Sequence, residues 1–156
     1  MDQMRTSVIL FLIVFVNLVP QVAKADILIS KNWLSSGQDW YLIESSIRSA
    51  GELDVYAAVS YFKMNETKNY LEVFDDDFNV IGREFIGDHR SYAFLQIFDC
   101  NKNLEANYSI MYFSTDRPTK GKKIHEETLD LPFFIPDNQL LMDKVCEIGR
   151  SKIGDS

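Results

Sequence analysis

Residues 91–100, SYAFLQIFDC, alternate Tyr92, Phe94, Gln96, Phe98 and Cys100 against Ser91, Ala93, Leu95, Ile97 and Asp99. Both sets are largely apolar, the pattern of a central strand covered on two faces. The rest of the chain arranges itself around this strand. Residues 39–44 (DWYLIE) and 53–62 (LDVYAAVSYF) read as strands, and the serine-rich stretch from Ser45 to Gly51 reads as the turn between them. Residues 64–68 are polar and read as another turn. Residues 70–74 and 80–86 are the arms of a hairpin, joined by the acidic stretch 75–79. Residues 108–114 pair back on the central strand, and 122–128 is a polar edge strand. The lead, 26–37, has one aromatic, Trp33, and is expected to pack loosely.

The period then changes. Residues 131–136 are an extended apolar approach, and Asp137 is a suitable N-cap for a helix over 138–148. Gly149 falls just past its end, leaving 150–156 as a flexible tail. Leu141, Val145 and Ile148 form one stripe, flanked by Met142 and Cys146. The expected fold is α+β: a single antiparallel β-sheet of about six or seven strands, with the C-terminal α-helix packed on one face.

The N-terminus has a different character. Arg5, an apolar run over 8–16, Pro20 and then Ala23-Lys24-Ala25 make up a secretory signal peptide, 1–25, cleaved between Ala25 and Asp26. The apolar run is shorter than the ~18 residues a membrane span needs. The expectation is a domain over 26–149 with no membrane anchor after cleavage. No cysteine follows the cleavage site to carry lipid, so the protein is expected in the periplasm or secreted rather than as a lipoprotein.

Of 16 basic and 23 acidic side chains, only Arg5, Lys24 and Asp2 lie in the leader, so the exported part carries about −8. That charge excludes nucleic-acid binding by general phosphate attraction. The two cysteines, Cys100 and Cys146, lie in the exported part, where a pair of cysteines is expected to bond.

If Cys100 reaches Cys146, strand alternation directs Phe98, Phe94 and Tyr92 with it toward the helix. Ala93, Leu95 and Ile97 then point to the opposite face, too apolar a set for solvent. Two readings stand. Either the Trp33 lead or the 70–86 hairpin folds over them, or they are an interaction face for a protein partner or a second copy forming a homodimer.

Little in the chain suggests catalysis. His89 and His125 are far apart in polar surroundings and read as surface residues. Ser91, His89 and Asp88 are too close along one strand to face one another as a triad. Asp75, Asp77 and Asn79 open like a calcium loop, but Val80 and Ile86 stand where its glycine and closing glutamate belong. No cofactor or metal is expected, and the class is a non-enzymatic binding module. The alternative is a small exported hydrolase or metal-dependent enzyme using His89 or His125 with nearby carboxylates.

Several short motifs fit one family. A tryptophan-led first strand, SSIRSAG before a long strand, FDC followed by a turn and a Tyr-led strand, and PDNQLLMDKVC near the end resemble the surface-adhesin protein E family. The resemblance runs from about Trp40 to Glu147. It implies an antiparallel sheet tied to a C-terminal helix by Cys100–Cys146. It also implies a small exported protein of Gram-negative bacteria that adheres to other proteins. The segment 66–90 is longer than that family's connection, and the lipid-bearing cysteine of the adhesin is absent.

Overall fold

The computed structural model describes residues 25–31, 38–129 and 131–154. The signal peptide (but for Ala25), Trp33 and the last two residues lie outside the described residues. Six strands form one sheet: β1 (Ile27–Ser30), β2 (Trp40–Ser49), β3 (Val55–Phe74), β4 (Val80–Asp99), β5 (Leu104–Phe113) and β6 (Lys123–Thr128). Their order in the sheet is their order in the chain, and every pairing is antiparallel. The helix α1 (Gln139–Gly154) lies on one face, packed against β2, β3 and β4. The α+β architecture is therefore as the alternation and the change of period indicate.

Three stretches that read as turns or loose chain are strand instead. The lead contributes β1, pairing Ile27 with Leu42 and Leu28 with Tyr41, and burying Ile29. Within β2 the serine-rich stretch continues the strand through a bulge between Ile43 and Arg48. The Ser46 hydroxyl donates to the Ile43 carbonyl (2.6 Å) and accepts from the Val59 N–H (2.8 Å), so it replaces the interrupted ladder. Four residues of β2, 44–47, stand against Ala58 alone there, which inverts the alternation, and Ile47 joins Trp40 and Leu42 on the helix side. Likewise 64–68 is not a turn: β3 runs through it with register shifts.

On the helix side, Leu141, Met142, Val145 and Cys146 pack on Leu42, Ile47, Tyr56, Ala58, Phe62 and Phe98. Cys100 and Cys146 are bonded, with Cα atoms 5.9 Å apart across a separation of 46 residues. The bond is compatible with an oxidising compartment. The N-cap is Asn138 rather than Asp137: the Leu141 N–H donates to its Oδ1 at 3.2 Å.

Gly149 does not end the helix. It lies inside α1 over the Tyr56 ring, where a Cβ would come within 2.6 Å of the ring carbons. Glycine at this position serves close approach, and α1 continues to Gly154. The Arg150 guanidinium makes two bonds to the Asp54 carboxylate (2.7 and 2.5 Å), and Lys152 Nζ donates to the Glu44 carbonyl (3.0 Å). These anchors explain why 150–154 is helix and not a loose tail.

The opposite face is closed within the monomer. Ala93 is fully buried and Leu95 is 5% exposed, clustered with Ile43, Ala57, Tyr61 and Met111, with Ile97 half-buried at the margin. The residues of the 70–86 hairpin are not part of this cluster, and Trp33 lies outside the described residues. Tyr41 and Tyr61 stack over the alanines at 5.2 Å, and Tyr108 and Phe113 close in from β5. Asp26 Oδ2 accepts from the Tyr61 hydroxyl (2.7 Å) and from Arg117 Nε (3.0 Å), and so ties the start of the sheet to the β5–β6 connection. Ala93, Leu95 and Ile97 therefore form core, and the interaction-face reading of them is withdrawn. The apolar surface lies elsewhere.

Candidate functional site: the β3–β4 ribbon

Pairing of β2 with β3 ends at Phe62, and pairing of β4 with β5 ends at Ser91. Beyond those residues β3 and β4 pair only with each other, through Tyr70↔Phe85, Leu71↔Glu84, Glu72↔Arg83, Val73↔Gly82 and Phe74↔Val80. The result is a two-stranded ribbon on the order of 30 Å long at the usual rise per residue. A row of rings clamps its base, each directly opposite the next: Trp40, Phe62, Tyr92, Tyr112 and His125. Successive centroids are 5.0, 5.2, 6.3 and 6.0 Å apart. The Tyr92 hydroxyl is fixed by donation to Gln38 Oε1 at 2.6 Å.

The outer ribbon exposes several large apolar side chains. Phe78 is 86% exposed, Phe85 75% and Ile81 65%, with Phe74, Val80 and Val73 also open. Single exposed apolar residues are ordinary, whereas large contiguous apolar patches commonly mark interaction sites, so the ribbon is the candidate site. The tip turn is well built. Asp75 accepts from the backbone N–H groups of Asn79 (2.8 Å) and Asp77 (3.0 Å) and from Asn79 Nδ2, and the Phe78 N–H donates to the Asp75 carbonyl (3.0 Å). Those donors, Asn79 first, hold the Asp75 carboxyl below the usual carboxylate range. The carboxylate is thus committed to its own turn. Arg83 lies over the Tyr70 ring, 4.4 Å from its centroid.

Phe78 has φ of 62°. That left-handed conformation favours glycine or asparagine and costs another residue about 1 kcal/mol. The turn therefore holds an exposed phenylalanine where a small residue would be easier to accommodate.

The histidines are not the separate surface residues expected from the sequence. His89 is 1% exposed, its Nδ1–H donating to the Gly87 carbonyl at 3.0 Å. Its ring meets Tyr112 edge-on at 5.1 Å, and His125 lies 6.0 Å from the same ring on β6, with Nε2 3.3 Å from Glu127. Burial pushes the Tyr112 phenol well up, with the Glu127 and Tyr92 charges adding to it. The registers of β4, β5 and β6 create this proximity, which sequence distance conceals. Among the described residues no group of three or more His, Cys, Asp and Glu is placed to hold a metal ion.

Sequence reading gave no role to Glu105, which is 1% exposed under the start of α1. Its backbone exchanges two hydrogen bonds with Phe134 (2.9 and 2.8 Å), pinning the segment that leads into the helix. Carboxyl Oε2 has no hydrogen-bond partner among the described residues. Burial pushes the group up to about 7, opposed by the Asp137 N–H and assisted by the Asp137 charge. The folded form then keeps its proton through a range where the unfolded form has released it. Stability should fall as pH rises from about 4.5 to about 7, by up to roughly 3 kcal/mol. Glu105→Gln should remove most of that slope in denaturant midpoints measured across this range. An unchanged slope would show that Glu105 is ionised throughout.

No known protein family, curated protein or solved structure matches the chain. The exposed apolar ribbon is therefore identified from its own geometry. Its two arms and turn are visible in the sequence as 70–74, 75–79 and 80–86. The missing signal was pairing: nothing local reveals that β3 and β4 have only each other as ladder partners over 70–85.

Proposed function

We propose that this chain is an exported, non-enzymatic protein-binding module of the kind that the surface-adhesin protein E resemblance implies, and that it binds through the β3–β4 ribbon. The observation that carries this reading is the group Phe74, Phe78, Val80, Ile81 and Phe85, exposed where β3 and β4 pair only with each other. Export to the periplasm or beyond rests on the leader pattern of 1–25, and the Cys100–Cys146 bond is consistent with it. The clamped base of the ribbon fits the role, because a rigid mount reduces the entropy lost on binding.

The test compares the wild-type chain with a Phe78→Gly, Phe85→Ser double variant as bait for an envelope extract. Glycine relieves the strained φ at 78, so the variant should melt no lower than wild type. The expected result is a protein recovered by wild type and lost with the variant. The same proteins recovered with both baits would refute binding through the ribbon.

A further inference from the structure

The ribbon carries charge as well as apolar surface. Residues 71–86 include five acidic side chains, Glu72, Asp75, Asp76, Asp77 and Glu84, and one basic, Arg83, a net −4 against −7 for the whole chain. Asp75 is spent on the turn. Glu72 stands opposite Arg83, Glu84 stands opposite Leu71, and Asp76 and Asp77 immediately precede the exposed Phe78. Carboxylates therefore lie beside the aromatic tip and along both strands that carry it. Any occupant has to cover both.

Resting on the ribbon reading above, we infer that the partner is a protein presenting an apolar groove edged by lysine or arginine, into which Phe78 and Phe85 insert. Charge complementarity selects this occupant over others. A second copy would bring another −4 tip against the first, and like charges set close together cost several kcal/mol. An anionic membrane is repelled in the same way. A neutral bilayer would have to accept Asp76 and Asp77 together with Phe78, and carboxylates are costly below the headgroups. A basic-rimmed groove meets the apolar group by burial and the four remaining carboxylates by attraction, which also speeds encounter at low salt.

The experiment places a photo-crosslinking phenylalanine analogue in the full chain at 78, at 85 and, as a control, at Leu53. Leu53 is equally open but lies off the ribbon. Cells that make the protein are irradiated and adducts are identified by mass. The same positions are repeated in a Glu72→Gln, Asp76→Asn, Asp77→Asn, Glu84→Gln background, with Asp75 kept so that the turn stays intact. The expected result is a protein adduct from 78 and 85 but not from 53. Its partner should carry net positive charge, and its yield should drop at least about tenfold in the neutralised background. Full yield in that background would overturn the basic partner while leaving ribbon binding intact. No adduct at 78 or 85, or the same adduct from 53, would overturn the ribbon reading itself. An adduct of twice the chain mass, or one with lipid, would assign the tip to a second copy or a membrane and overturn the inference.

Discussion

Leu95→Asp is expected to leave the chain without a cooperative melting transition. Leu95 is 5% exposed, in one cluster with Ala93, Met111 and the stacked Tyr41 and Tyr61. Removing a buried leucine side chain costs about 2–5 kcal/mol. The aspartate that replaces it sits among apolar side chains, so it either ionises in an apolar site or takes up a proton, each at further cost. Together these consume much of the ~5–15 kcal/mol that holds a domain folded. Phe78→Asp, at the exposed tip, should melt as wild type does and serves as the control. Circular dichroism on both variants tests the contrast. A folded Leu95→Asp protein that no longer self-associates would return Ala93, Leu95 and Ile97 to the role of an interface.

Cys146→Ala should lower stability by about 4 kcal/mol, the chain-entropy value for a bridge spanning some 46 residues. The bond links the end of β4 to the middle of α1, which otherwise holds to the sheet through Leu141, Met142 and Val145 and the Arg150 and Lys152 anchors. Denaturant midpoints of the variant and of reduced wild type should fall together. An undiminished midpoint in both would show that apolar packing alone secures the helix.

The sequence made strand existence legible where one face or both are buried. The alternation at 91–100 placed Phe98 and Cys100 against α1 and Leu95 on the other side, and the structure has both sets so. Strand length was less visible. Ser46 lies in a run that favours turns, but its hydroxyl stands in for a broken ladder and the strand continues. Gly149 carries a helix-stop signature that the Tyr56 ring overrides. The buried His89 depends on neighbours contributed by β5 and β6, so no local pattern announces it. The ribbon was legible as a hairpin and illegible as a projection, because exposure depends on which strands stop short.

The order of strands in the sheet has a consequence for assembly. Each strand finds its partner across one connection, so the loop-closure entropy opposing any single pairing is small. The sheet can zip in both directions from the 75–79 turn. The long-range event is the arrival of α1, which returns across most of the sequence to lie on β2. A chain made from its N-terminus can therefore complete the sheet while the helix is still to come. The disulfide then seals a finished product and has little part in guiding the route to it.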